Sequence, residues 1–527
     1  MHANPRALEP DLFGRKACME PSSGKTLSIW AATVQIPSRP KLEQDTSANV
    51  CVVGAGIAGM TTAYLLAQAG KSVVVVDDGS IGGGMTGRTT AHLVTALDDR
   101  YFELEDMHGE RGARLAAQSH AASIDEVERI VRAEKLDCEF ERLDGYLFVP
   151  PNESKEILDR ELEAAHRAGL TDLEIVERVP FESYDSGKAL RFPNQAQFHP
   201  LKYLAGLAGA IEQHGGRIYN ETHATKIEGG DNARIKTSTG TVITADAVVV
   251  ATNTPVNDLV VIHTKQSAYL TYVIGARVPK DSVTRALYWD TPHPYHYVRI
   301  ESIDEKYDLL ISGGEDHKSG QKDDANVRFA ALERWTRTRF PMMKEIEYRW
   351  SGEVMEPADG LAFIGRNPLD DENVYIATGD SGNGMTHGTI AGMLISDLIL
   401  GKQNEWAELY DPARKTLRAL GKFAKENLNT ASQYLDLITA GEVESVDEIR
   451  PGDGAVIRSG LSKIAAYKDE DGTVHELSAK CPHLGCIVAW NSLEKTWDCP
   501  CHGSRFDAKG KVIMGPANAD LSPHEKA

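Results

Sequence analysis

Two short loops near the C-terminal end constrain this chain most: Cys481-Pro-His483-Leu-Gly-Cys486 and Cys499-Pro-Cys501-His502-Gly-Ser504. Each loop offers one Cys and one His, and fifteen residues separate His483 from Cys499. Gly and Pro bound both loops, so they read as tight turns between short strands. Two thiolates can hold one iron and two imidazoles a second, which is the ligand set of a mixed-ligand [2Fe–2S] centre. Cys481, His483, Cys499 and His502 are the expected ligands. Neutral imidazoles in place of two thiolates lower the negative charge at one iron and raise the reduction potential. The competing reading is a structural zinc site of two Cys and two His. A zinc finger pairs Cys with Cys on a hairpin and His with His on a helix, whereas here each loop mixes the two.

The spacing, with the flanking Leu-Gly-Cys and Pro-Cys-His-Gly-Ser, closely resembles the Rieske family. The resemblance implies a disulfide between Cys486 and Cys501, tying the loops together. It also implies a serine and a tyrosine that donate hydrogen bonds to the cluster sulfurs. Ser504 matches the serine, but Phe506 stands where the tyrosine would be. Fewer donors should lower the potential below that of the respiratory Rieske proteins. Gly515-Pro516 looks like the proline loop that shields such clusters.

A second motif lies at the other end. Val50–Val53 reads as a buried strand, and Gly54-Ala-Gly56-Ile57-Ala58-Gly59 follows at once. Met60–Ala69 reads as a helix, and Ser72–Val76 as a second strand ending in Asp77-Asp78. This is a dinucleotide-binding βαβ unit. Gly54 permits the tight turn, Gly56 admits the pyrophosphate, and Gly59 lets helix pack on strand. The helix N-terminus offers free N–H groups to the phosphates. Asp77, eighteen residues after Gly59, can accept hydrogen bonds from the adenosine ribose.

The motif alone does not separate FAD from NAD, but three more segments favour FAD. Gly82–His92 carries Thr86, Arg88, Thr89, Thr90, Ala91 and His92 as expected cofactor contacts. Ala245–Asn253 is an apolar strand whose tip offers Ala251 and Thr252. Val374–His387 offers Gly379, Asp380, Asn383, Gly384, Met385 and Thr386, ahead of a helix read as Thr389–Leu400. With the first motif, these resemble the D-amino-acid oxidase-like flavoproteins, including glycine and sarcosine oxidases, over residues 46–405. The resemblance implies a helix N-terminus beside the flavin pyrimidine, which favours an anionic reduced flavin. Flavin domain first and Rieske domain last looks like a bacterial group of FAD-dependent Rieske oxidoreductases.

The expected fold class is α/β. A glutathione-reductase-like, Rossmann-type FAD domain is interleaved with an α+β substrate lobe and followed by an all-β Rieske domain. Residues 1–45 read as an irregular arm and 46–405 as the flavoprotein. Its cofactor pieces are 46–95, 195–260 and 350–405, and its substrate lobe is 96–194 and 261–349. A helical connector, 406–437, leads to the Rieske domain, 438–527. The formal net charge of −20 argues against nucleic acid or an anionic membrane surface as partner. Apolar runs are strand-sized and no secretion signal is evident, so a cytoplasmic location without membrane insertion is expected. Cys18, Cys51 and Cys138 read as ordinary thiols. Oligomeric state is not readable from the sequence.

A flavin accepts a hydride and a Rieske centre takes one electron at a time, so a chain with both converts between the two. Only one dinucleotide motif is evident, which counts against a nicotinamide-fed reductase. The resemblance implies oxidation of a C–N bond in a small amine or amino acid, with electrons leaving to an unidentified acceptor. Alternatives are a partner-dependent reductase or redox-responsive protein whose cluster feeds the flavin, and an oxidase with an accessory cluster. Substrate-contact candidates are Tyr269, Tyr272, Trp289, His293, Tyr295, His296, Tyr297 and Arg299, with Arg299 suited to a carboxylate. Tyr295, Tyr297, Arg299 and His92 are the expected catalytic set. His92 also lies near the position where some relatives tether flavin covalently.

Overall fold

The computed structural model describes residues 22–150, 154, 156–181, 183–257, 262–437, 439–460 and 462–524. Cys18 and the first part of the expected arm lie outside the described residues. An eight-stranded sheet forms the first layer. Five of its strands run parallel, in the order Val374–Thr378, Val242–Val250, Thr46–Val53, Val73–Val76 and Arg217–Tyr219. Val73–Val76 is all valine and all buried, as a parallel strand covered on both faces must be.

The first helix runs Ile57–Gln68 rather than starting at Met60, because extended Gly56 is its N-cap. The later helix, Gly384–Ile399, begins five residues before the expected Thr389. Ala58-Gly59 at one start and Gly384 and Gly388 at the other leave too few large apolar residues to show the helical period. The two helices pack closely. A Cβ on Gly388 would lie 2.5 Å from Ile57 Cγ2, and one on Gly392 2.5 Å from Thr61 Cγ2.

A nine-stranded sheet forms the second lobe. Its three long strands, Ile346–Pro357, Gln266–Pro279 and Tyr307–Lys318, lie side by side at one edge in antiparallel pairing, with His296–Ser302 next to them. Glu141–Phe148 and Ala189–Gln197 extend it, and the short strand His92–Leu93 ends it. The helical stretch Tyr101–Ala133 breaks at Gly109, whose φ is 74°, so its regular part matches the helix read from Glu110.

The C-terminal region is all-β. A three-stranded sheet, Asp453–Ser459, Ser462–Lys468 and Val474–Ser478, stands beside a four-stranded one spanning Ala489–Met514. Trp490, Trp497 and Phe506 fill its core. The connector helix Leu420–Gln433 has no buried residue among those described. Instead it is pinned by polar contacts: Lys318 and Ser267 both bond Glu426, and Asn427 Nδ2 donates to the Thr264 carbonyl at 2.9 Å.

Candidate two-cofactor redox site

The glycines of the first βαβ unit divide by function. Gly54 has φ 108° and a Cβ there would strike the Ala251 carbonyl; one on Gly59 would strike the Gly54 carbonyl. Both serve chain packing. A Cβ on Gly56 would meet only Thr86 Oγ1, at 3.2 Å, so the space above it is a cradle that a side chain would fill. Thr86 Oγ1 accepts from the Ile57 N–H at 3.1 Å. Asp77 accepts from the N–H groups of Ala55 (2.6 Å) and Gly79 (2.8 Å), fixing the loop. Burial, then the neighbouring Asp78, pushes its carboxyl up to about 7. The open helix N-terminus, the cradle and the acid at the second strand fit a dinucleotide.

A long cleft runs from this loop to the second lobe. Gly54, Gly56, Ile57, Ala58, Asp77, Asp78, Thr86, Thr89, Thr90 and His92 border it. So do Ala251, Thr252, Gly379, Asp380, Asn383, Gly384 and Met385. Three expected contacts do not. Gly59 packs against the loop, Thr386 bonds the Asn383 carbonyl, and Ala91 is held by its carbonyl to Arg299.

Arg88 borders the cleft, but its guanidinium serves another purpose. Nη1 donates to Glu494 Oε1 (2.9 Å) and the Ser351 carbonyl (2.8 Å), and Nε to Ser23 Oγ (2.8 Å). Glu494 lies in the C-terminal domain, so this expected cofactor contact is an interdomain clamp. Burial pushes the Glu494 carboxyl up, but Arg88 and Arg505 outweigh it and hold it below the usual range.

At the far end of the cleft, the fold brings together His92, Trp289, Tyr295 and Tyr297. His92 meets Tyr297 edge-on at 5.8 Å and Trp289 at 6.1 Å. Burial, then Arg299, pushes the His92 imidazole down to about 3, so it is neutral. Tyr295 Oη donates to Asp98 Oδ2 at 2.5 Å, and Tyr297 shares a 3.0 Å hydrogen bond with Thr271. An outer cavity continues from here, lined by Asp98, Asp316, Glu356, Tyr269, Trp289 and His293 among others. Burial pushes Asp98 up to about 7 and Asp316 to about 6, and raises Glu356 well above its ordinary value.

Arg299 is not at this site. It is fully buried, donates to the carbonyls of Thr90, Ala91 and Phe198, pairs with Glu301, and stacks on Trp30. It holds the His92 loop in place and cannot reach a substrate carboxylate. His296 is stacked on Trp335 and bonded to Asp290, and Tyr272 bonds His317 in a separate core. The sequence reading missed Asp98, Asp316 and Glu356. They are far apart in the chain and carry no local signature. It also missed His387, which borders the cleft and bonds the Asp380 carbonyl at 2.8 Å and His120 at 3.2 Å.

In the C-terminal domain, Cys481 and Cys499 are free and buried, while Cys486 and Cys501 are disulfide-bonded, with Cα atoms 6.4 Å apart. The Cys499 sulfur lies within 4.8 Å of both disulfide sulfurs. With those two oxidised, Cys481 and Cys499 are left as the thiolate pair. The rings of His483 and His502 meet edge-on, with centroids 4.9 Å apart. Thiols and imidazoles are thus each grouped in pairs, as the mixed ligand set requires. Ser504 Oγ accepts from the Ala517 N–H at 2.9 Å, which leaves its own proton to donate toward Cys481. Phe506 lies fully buried in the domain core. The Gly515–Pro516 turn, expected from the resemblance to shield the cluster, reaches the flavin domain. Val512, Met514, Gly515, Ala517 and Asn518 also line the dinucleotide end of the first cleft.

Fold and site define a two-cofactor redox enzyme, with a flavin domain and an iron–sulfur domain on one chain. The family described as FAD dependent oxidoreductase matches residues 49–398, and the Rieske [2Fe-2S] domain matches residues 440–525. The chain is 32% identical to the Rieske 2Fe-2S iron-sulfur protein YhfW of Bacillus subtilis, over 93% of this chain and 96% of that protein. It is 29% identical to gamma-glutamylputrescine oxidoreductase of Escherichia coli, over 68% of this chain and 85% of that protein. Glycine oxidase from Geobacillus kaustophilus shares the fold with a TM-score of 0.60 at 18% identity, over 70% of this chain and 99% of that one. L-proline dehydrogenase from P. horikoshii does so at 0.58 and 19%, over 71% and 98%. The chain belongs to the FAD-dependent oxidoreductase family and carries a C-terminal Rieske domain; FAD and a [2Fe–2S] cluster are its cofactors. Among the described residues, no helix is long and apolar enough to cross a membrane.

Proposed function

We propose that this enzyme oxidises a C–N bond of a cationic amine that bears a second positive group, in preference to a simple amino acid. Bound FAD supplies hydride acceptance and the cluster supplies one-electron transfer. The observation that carries the substrate class is the charge of the substrate end. Asp98 and Asp316 border both the cleft and the outer cavity, where they, Asp99, Glu356 and Glu426 outnumber the two cations present, Arg100 and Lys422, the latter paired with Asp99. Among the described residues that line the cleft, the one guanidinium is Arg88, and Glu494 occupies it. Arg299, the residue expected to hold a carboxylate, is buried elsewhere. The site therefore favours ammonium over carboxylate.

The residues divide the work by position. His92, Trp289 and Tyr297 form an uncharged wall against which the carbon chain of an amine can lie. An ammonium group must lose its proton before hydride can leave the adjacent carbon. Asp98 and Asp316, held near neutrality by burial, are placed to take that proton. Tyr295 donates to Asp98 and keeps it oriented. The second cationic group of the substrate would sit in the outer cavity, among its excess carboxyl groups. The gamma-glutamylputrescine relative, named for an amine-derived substrate, supports the same class. We place the enzyme in the cytoplasm, with an external electron partner of unassigned identity.

The test is an anaerobic titration with diamines, N-alkyl monoamines and amino acids, alongside NAD(P)H. Flavin bleaching is read optically and the reduced cluster by electron paramagnetic resonance. Diamines should bleach the flavin at the lowest concentrations, and the Rieske signal should then grow. Reduction by NAD(P)H alone would rule the amine reading out.

A further inference from the structure

The Rieske domain could be a tethered head that visits the flavin domain, or a part fixed to it. The contacts at the cluster loops decide between these. His263 belongs to the flavin domain, in the turn before the strand Gln266–Pro279, and is 2% exposed. Its ring meets His483 edge-on at 4.9 Å and His502 at 6.1 Å. Both imidazole ligands of the cluster therefore face the flavin domain across a third imidazole.

The next contact in the second cluster loop is equally close. A Cβ on Gly503, directly after His502, would lie 2.6 Å from Ala268 Cβ and 2.8 Å from Glu353 Oε1. Glu353 also borders the flavin cleft. From His263 the chain leads in three residues to Gln266, whose Nε2 donates to Thr378 Oγ1 at 3.1 Å. Thr378 in turn donates to the Asn253 carbonyl at 2.6 Å, and both residues border the same cleft. Packed protein thus runs from the second cluster loop and from His263 to residues that border the flavin cleft. The fully buried Arg88–Glu494 pair closes the interface nearby.

We propose that electrons pass between flavin and cluster within one chain, across this fixed contact, and that His263 is the positioning residue for the two imidazole ligands. The proposal rests on both cofactors occupying the sites assigned above, and not on the identity of the amine. In each transfer, reduced flavin loses one electron and one cluster iron goes from ferric to ferrous. Repeating it requires an external one-electron acceptor to reoxidise the cluster.

The test uses the holoenzyme without any amine. A laser flash with a deazaflavin donor reduces the flavin by one electron. Flavin reoxidation and cluster bleaching are then followed over a wide range of protein concentration. A first-order rate that does not change with concentration is expected. A rate proportional to concentration, or a reduced flavin that persists beside an oxidised cluster, would overturn the proposal. His263→Leu fills the space without an imidazole. It should retain flavin and cluster, slow the transfer about tenfold or more, and shift the g-values of the reduced cluster. Unchanged rate and g-values in that variant would remove His263 from the route. His263→Phe keeps the ring edge and should hold the rate closer to that of the parent. Because no substrate is used, failure of the amine reading leaves this result standing, and the converse also holds.

Discussion

Arg88 Nη1 lies 2.9 Å from Glu494 Oε1, with both side chains out of water, and this pair joins the flavin loop to the Rieske domain. Glu494 accepts further bonds from Ser351 Oγ (2.5 Å) and from the Thr26 N–H (2.9 Å), so its carboxylate is fully engaged. The two cofactor domains and the N-terminal arm meet at one charge.

Removing half of a buried pair leaves the other half uncompensated, at a cost of about 3–5 kcal/mol. Arg88→Met should therefore lower thermal stability sharply. The double variant Arg88→Met/Glu494→Leu should recover much of the loss. Differential scanning calorimetry of the three proteins checks this, and a single variant as stable as the parent would contradict the clamp.

Gly56→Val puts a side chain into the cradle, where its Cβ would meet Thr86 Oγ1 at 3.2 Å. The variant should fold, as judged by circular dichroism, yet purify without flavin absorbance. Normal flavin content would refute the assigned pyrophosphate site.

Cys481→Ser or His502→Ala should abolish the Rieske paramagnetic signal while leaving the flavin spectrum intact. The flavin cleft draws most of its lining from residues before 400, so flavin loss in both variants would show that the domains are not independent in binding.

Asp98 and Asp316 have folded-state values raised to about 7 and about 6, so both are protonated below those values and anionic above them. Recognition of a cationic amine should strengthen as pH rises through 6–7 and weaken as it falls. KM for a diamine should rise on the acid side, and that for a neutral analogue should not follow it. Asp98→Asn should raise the diamine KM about tenfold or more at pH 8, the scale of a charged hydrogen bond of about 1.5–3 kcal/mol.

The parts legible in sequence are those whose partners are close in the chain. The glycine loop, the acid after the second strand and the four cluster ligands each declare themselves within a few residues. The burial of Arg299 away from the cleft is not legible in sequence, because strand alternation says that a side chain points to one face, not which face meets the cleft. The Arg88–Glu494 clamp spans 406 residues and the Tyr295–Asp98 bond 197, so only the folded chain brings them together. The first turns of the helices Ile57–Gln68 and Gly384–Ile399 contain glycine, which marks no face, so the apolar period begins only after the helix does.

Residues Val512 to Asn518 form one wall of the cleft that begins at the Gly-rich loop. Within the same stretch, the Ala517 N–H donates to Ser504 Oγ in the second Cys/His loop. One short segment of backbone therefore touches both cofactor sites, and a shift of it in either direction would be felt at the other.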